Sequence, residues 1–181
     1  MTSKAYSSEG IVLARRNYSE ADRILSILSK DYGKISMIAK GVRKPTSRKR
    51  GHIEVFSQIK FQGRKGGTLD MMTEAETLDN FTGIRSDLKK AALAYYLMEV
   101  IGRTTHDGEP HKELYYLLLK NLKKVEFDKN LKTIKDNFIL EILRVLGFWP
   151  KGVALVNPEV KLIEIIERNL VTSRVGKKLL L

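Results

Sequence analysis

Apolar and polar positions alternate with a period of two through the first eighty residues and take up a helical period afterwards. Gly10 opens the apolar run IVLA, Asn17–Tyr18–Ser19–Glu20 makes a polar break, and DRILSILS fills 22–29. Asp31–Tyr32–Gly33 reads as a turn before the alternating KISMIA of 34–39. The clearest alternation sets Ile53, Val55, Ser57, Ile59 and Phe61 against Glu54, Phe56, Gln58, Lys60 and Gln62. That pattern predicts a strand with one buried face. Gly63–Gly67, with Arg64 and Lys65 at the tip, predicts a hairpin into a fifth strand around TLDMMTEA. Short strands linked by turns in this way suggest a closed five-stranded β-barrel of the OB type over residues 1–80. Small SH3-like barrels share the pattern, and periodicity alone does not separate the two.

After Phe81 the chain becomes helical. Ser86 reads as an N-cap with Asp87 in the first turn, and AALAYYLMEVI is apolar almost all round, as in a buried helix. Thr104–Pro110 is a polar turn, and KELYYLLLKNLKKV carries an apolar stripe beside a lysine-rich side. A third helix is expected from Leu131 to Leu146 with Gly147 as its C-terminal stop, and a last one from Asn157 and Pro158. The expected architecture is α+β: a barrel domain at 1–80 and an all-helical domain at 81–181.

Charge changes this picture from a fold into a candidate function. The 181 residues carry a formal charge of +12. Lys40, Arg43, Lys44, Arg48, Lys49 and Arg50 crowd into the window KGVRKPTSRKRG at 40–51, which holds no acidic residue. Pro45 and the Thr46–Ser47 pair break any continuous helix there, so the window reads as a basic loop between two strands. Like charges so crowded repel one another, and nucleic-acid phosphate is the simplest counter-charge. A solvated, flexible charge run is the plain alternative. Arg15, Arg16 and Arg23 flank the first turn and are placed to extend the same basic surface, a simple solvated role for any one of them being the equal alternative.

Other chemistry finds little support. The glycines form neither a dinucleotide fingerprint nor a phosphate loop, at Gly63–Gly67, at Gly33–Lys34 or at Gly176–Lys177. Ser86–Lys89 matches SxxK, but its companion motifs are missing and a helix cap explains it. His106 and His111 are not aligned on one helix face, His52 is isolated, and there is no cysteine. The expectation is a non-enzymatic protein without cofactor, metal or membrane partner. The start, MTSKAYSSEG, lacks a signal-peptide core, so the chain reads as cytoplasmic. Among the aromatics, Phe61 shares the core face with Ile53 and Ile59, whereas Phe56 falls on the polar face and is the better base-stacking candidate, beside Tyr18 and Tyr32. Tyr95, Tyr96, Tyr115 and Tyr116 lie in apolar stripes and are expected in the core.

The order Glu9–Leu13, Arg16, Tyr18, Glu20, Asp22–Ile24, Gly33–Lys34 and Ala39–Arg48 resembles the RecO recombination mediators of bacteria. Leu69–Phe81, Tyr95–Glu99, Leu143–Pro150 and Ser173–Arg174 extend the similarity over most of the chain. The resemblance implies an OB fold followed by a helical domain. It also implies binding of single- and double-stranded DNA, annealing of complementary strands and help in loading RecA onto DNA coated by single-strand-binding protein. RecR and the C-terminal tail of single-strand-binding protein are the implied partners, with association with the nucleoid. The matching loop assigns DNA contact to Lys40, Arg43, Lys44, Ser47 and Arg48, with Arg16 and Arg23 beside them; Lys49 and Arg50 complete the loop. Many members carry a four-cysteine zinc motif soon after the position of Pro150; this sequence looks like a short form without it. An RNA-binding OB protein, or an adaptor gripping acidic protein tails, fits the same charge and strand pattern.

Overall fold

The computed structural model describes residues 4–166. The Ser173–Arg174 similarity, Gly176–Lys177 and the first three residues lie outside the described residues. The chain divides into two compact units, one formed by residues 1–80 with 105–115, the other by 81–104 with the chain from Tyr116 onward.

The first unit is a closed five-stranded barrel, with strands β1 (Ala5–Tyr18), β2 (Asp22–Ser29), β3 (Gly33–Ala39), β4 (Gln58–Arg64) and β5 (Asp70–Asp79). Their order around the barrel is β1-β2-β3-β5-β4, with β4 returning to β1. All pairings are antiparallel except β3 with β5, so the OB-type expectation holds. Alternation puts Val12, Leu25, Ile27, Met37, Ile59 and Phe61 inside, each essentially without solvent exposure. Each such side chain contributes about 1.5–3 kcal/mol over an exposed one. Gly33, at φ +69°, is a turn position that only glycine fits, because a Cβ there would land on the backbone of Glu109.

The segment 105–115 packs onto the barrel through specific polar contacts. Gly108 N–H donates to the Lys34 carbonyl at 2.8 Å, and Lys34 Nζ donates to the Thr105 carbonyl at 2.7 Å. Tyr115 is fully buried, and its hydroxyl accepts from Gln58 Nε2 at 3.0 Å.

The strand expected over 53–61 starts only at Gln58. Phe56 adopts φ +56°, which no strand accommodates, and Val55 and Phe56 are both buried. Two consecutive buried residues contradict a half-buried strand, where neighbours face opposite sides. Phe56 is 2% exposed and so is not on a stacking surface, whereas Phe61 is in the core as expected. Tyr32 packs edge-on against Tyr6 at 4.7 Å between ring centroids, leaving Tyr18 as the exposed aromatic of the three stacking candidates.

The second unit contains α1 (Thr82–Arg85), α2 (Leu88–Thr104), α4 (Leu131–Val145), α5 (Pro158–Ile166) and most of α3 (Lys112–Phe127). Asp87, one residue beyond the expected Ser86, starts α2: its Oδ1 accepts the N–H groups of Lys89 and Lys90 at 2.8 and 3.2 Å. Gly147, at φ +79°, ends α4, with Phe148 N–H donating to the Leu143 carbonyl at 2.8 Å. Tyr96 is buried as expected, but Tyr95 and Tyr116 are about half exposed. Each directly neighbours a buried tyrosine, and consecutive helical positions lie about 100° apart, so the two cannot share one buried direction.

Candidate nucleic-acid interface

The basic window lies between β3 and β4, across one end of the barrel, and is held by buried anchors and backbone hydrogen bonds. Val42 and Ile53 insert into the barrel core with no exposed surface. Gly41 N–H donates to Asp22 Oδ1 at 2.7 Å, and Arg43 N–H to the Ala21 carbonyl at 2.9 Å. Successive turns follow, with N–H groups of Lys44, Ser47, Arg50 and His52 donating to the carbonyls of Gly41, Lys44, Ser47 and Lys49. His52 Nδ1 accepts the Thr77 N–H at 3.2 Å, pinning the far end of the window to β5. Sequence reasoning set His52 aside as isolated; the fold uses it as a staple.

The basic side chains divide into three groups. Arg43 and Arg50 lie within electrostatic reach of Arg23, and so does Arg15 of β1. Arg43 Nη1 donates to the Ser19 carbonyl at 3.1 Å, which holds it against the β1–β2 turn. Among the described residues Glu54 is the carboxylate that pairs with this cluster, 2.6 Å from Arg15 Nη1 and 3.8 Å from Arg23 Nη1. Burial lowers the pKa of Arg23, with repulsion from Arg15, Arg43 and Arg50 adding to it and Glu54 opposing it.

Arg48 and Lys49 form the second group. With Lys60, Gln62, Glu74 and Glu76 they line a groove of about 630 Å³ over β4 and β5. Lys49 is half-buried, and its Nζ donates to the Met72 carbonyl at 3.2 Å. Two carboxylates make this groove less positive than the loop sequence suggests.

Arg16 stands alone in the third. It pairs with Ile24 across β1 and β2, while Arg15 pairs with Leu25, so neighbouring arginines take opposite faces. Arg16 borders a hollow of about 260 Å³ with Ala14, Ser26 and Ser36, and Arg15 also reaches its rim. Lys40 and Lys44 are exposed, and Ser47 is half-buried in the turns. Among the described residues, none of the six basic residues at 40–50 forms an ion pair.

The residues that complete the arginine cluster, Glu54 and Asn17, gave no sequence signal of their own. Glu54 falls in the stretch misread as strand, and Asn17 reads only as part of a polar break. The remaining chemistry is structural. Ser86 Oγ donates to the Gly83 carbonyl at 3.2 Å, and His106 and His111 flank Glu109 in an exposed turn. Among the described residues, no group of His, Cys, Asp and Glu is arranged to hold a metal ion, and no helix is long and apolar enough to cross a membrane.

Comparison with known proteins agrees with this architecture. Residues 1–81 match the family model for the recombination protein O N-terminal region, and 85–155 match its C-terminal counterpart. The DNA repair protein RecO of Pelotomaculum thermopropionicum is 35% identical over 147 residues, covering 81% of this chain and 57% of that protein. RecO of Desulforudis audaxviator is 36% identical over 148 residues, covering 82% and 59%. RecO of Moorella thermoacetica is 34% identical over 159 residues, covering 86% and 59%. The chain thus spans less than two thirds of the length of these relatives. With both halves matched in order, the chain belongs to the RecO family.

Proposed function

We propose that this chain is a DNA-binding recombination mediator acting in recombinational repair, with no catalytic residues of its own. The observation that carries this reading is the anchored basic window, whose six cations have no ion-pair partner among the described residues. Relatives named DNA repair protein RecO support it. In this reading the barrel domain at 1–80 binds single- and double-stranded DNA, and the helical domain at 81–181 serves partner contacts. The contact residues are Lys40, Arg43, Lys44, Ser47, Arg48, Lys49 and Arg50, with Arg16 and Arg23. Cations on the phosphates of two strands lower their repulsion and leave base edges free to pair, which is how binding becomes annealing. RecR, the tail of single-strand-binding protein and, indirectly, RecA are the proposed partners, in the cytoplasm at the nucleoid.

Phosphate contacts carry little sequence information, so binding is nearly sequence-independent. With about four to six phosphates engaged, log affinity for single strands falls with log salt at a slope of roughly −3 to −4. The deciding experiment is annealing of complementary oligonucleotides, bare and coated with single-strand-binding protein, by the wild type and by Arg43→Ala/Lys44→Ala/Arg48→Ala/Arg50→Ala. The wild type accelerates pairing and the variant does not. If neither accelerates pairing and affinity is flat with salt, the reading fails.

A further inference from the structure

The arginine cluster at the barrel end leaves one guanidinium poorly served by its carboxylate partner. Arg23 lies at its centre with its side chain 17% exposed. Its Nη1 is buried and has no hydrogen-bond partner. Its carboxylate partner, Glu54 Oε1, is 3.8 Å away and already receives Arg15 Nη1 at 2.6 Å. Arg23 Nε makes only a long contact of 3.4 Å to Asn17 Oδ1. One carboxylate oxygen therefore serves two guanidinium groups, with Arg43 and Arg50 adding positive charge nearby.

An unsatisfied, buried guanidinium donor is costly, and charge-assisted hydrogen bonds to an oxyanion are among the strongest available to it. A phosphate group offers several oxygens in the fork geometry that guanidinium recognises, whereas Glu54 reaches Arg23 poorly. Glu54 itself is 37% exposed along its side chain, so it has solvent to turn into.

We propose that Arg15, Arg23, Arg43 and Arg50 form a preformed pocket for one phosphate group, in which Glu54 is an internal stand-in that the bound phosphate displaces. This makes Arg15 a binding residue and Glu54 a brake on affinity. As the phosphate is taken to be a DNA phosphodiester, the inference rests on the proposed function, although the pocket chemistry is equally that of a free phosphate.

The test measures two ligands on three proteins: wild type, Glu54→Gln and Arg15→Ala. The first readout is the unfolding temperature in inorganic phosphate against chloride at matched ionic strength. The second is affinity for a short single-stranded oligonucleotide. Glu54→Gln should bind the oligonucleotide tighter by about threefold or more, as expected for removing a competing partly exposed ion pair. Phosphate should raise its unfolding temperature more than that of the wild type. Arg15→Ala, a change at a partly exposed strand position, should lose the phosphate response and weaken oligonucleotide binding. If Glu54→Gln binds as the wild type does or more weakly, Glu54 is not a stand-in and the proposal falls. Should the oligonucleotide bind well but ignore both substitutions, the pocket is wrong and the DNA-binding reading survives. A phosphate response with no oligonucleotide binding leaves the pocket standing and removes the DNA-binding reading.

Discussion

Basic residues are handled differently in the two units of this chain. In the helical unit several cations have acidic partners at close range: Arg103 with Glu99 at 2.8 Å, Lys135 with Glu159 at 2.9 Å and Lys161 with Glu164 at 3.0 Å. Others, such as Lys123 and Lys124 at the end of α3 and Lys129 just after it, stand on solvated surface around exposed Phe127. At the barrel end, by contrast, arginines converge on a single carboxylate, and the backbone beneath them is fixed by Val42, Ile53 and His52. Net charge therefore does not locate a site. What distinguishes the barrel end is cationic crowding held in place against its own repulsion, which a solvated helix face never has to resist.

The largest expected effect comes from releasing that restraint. Val42 has no exposed surface, so Val42→Asp places an unpaired carboxylate in the barrel core. Loss of about 3 kcal/mol or more is expected in denaturant unfolding, on the scale of an uncompensated buried charge. Oligonucleotide binding should fall with it even though every basic residue remains. Retained binding in a folded Val42→Asp protein would show that the loop acts as a loose charge run, and the contrast between the units would collapse.

The second effect compares equal charge removed from each unit. Replacing Arg43, Lys44, Arg48 and Arg50 with alanine should weaken single-strand binding by about 10- to 100-fold at low salt and flatten the salt slope. Replacing Lys120, Lys123, Lys124 and Lys129 removes the same four charges and should change affinity by less than about threefold, since only the diffuse field is altered. Fluorescence anisotropy titrations over a salt series measure both. Equal losses from the two variants would mean that overall charge, not local arrangement, drives binding.

Much of this contrast was legible in the chain, because it depends on short-range signals. DRILSILS became β2 with the boundaries its pattern predicts, and Gly147 and Pro158 bound helices where their backbone preferences place them. The basic window was legible as a loop because Pro45 and its polar neighbours exclude longer regular structure. Its anchoring was less so. Period two continues through Ile53 and Val55, but the left-handed turn at Phe56 depends on tertiary contacts, among them its N–H donating to the Val12 carbonyl at 2.8 Å. The opposite facing of Arg15 and Arg16 follows from strand geometry. Whether Arg15 faces Glu54 depends on the register shift between Val12 and Ala14, and no local pattern announces that shift. Likewise, nothing in the polar turn after Thr104 signals that 105–115 packs onto the barrel, since the partners of its contacts, Lys34, Gln58 and Asp31, lie 57 to 81 residues away in the chain, beyond the reach of any local pattern.

The smallest effect tests whether a barrel cation with a partner behaves like the paired cations of the helical unit. Lys65, at the β4–β5 hairpin, is 3.0 Å from Asp70, whose carboxylate also accepts from the Tyr6 hydroxyl at 2.5 Å and the Gly66 N–H at 3.1 Å. Burial pushes the Asp70 pKa up, but the hydrogen bonds from Tyr6, Gly66 and Lys65 outweigh it and hold the group below the usual aspartate value. Tyr6 is pushed the other way by burial and by Asp70, so it keeps its proton and remains a donor at neutral pH. A depressed folded-state pKa means that ionised Asp70 stabilises the fold above the unfolded-state value of about 3.9. That contribution disappears as pH falls through the lower folded-state value. Asp70→Asn should thus lower stability at pH 7 by about 1 kcal/mol, the scale of a charge-assisted hydrogen bond partly retained by the amide. The gap from wild type should stay constant down to the ordinary aspartate range and narrow only below it. Oligonucleotide affinity should stay within about twofold, because Lys65 remains a lone exposed cation of the kind that contributes little. If Asp70→Asn instead tightens binding several-fold, Lys65 belongs with the crowded arginines as a site held in check by its own carboxylate, and the contrast lies between braked and unbraked cations within one barrel.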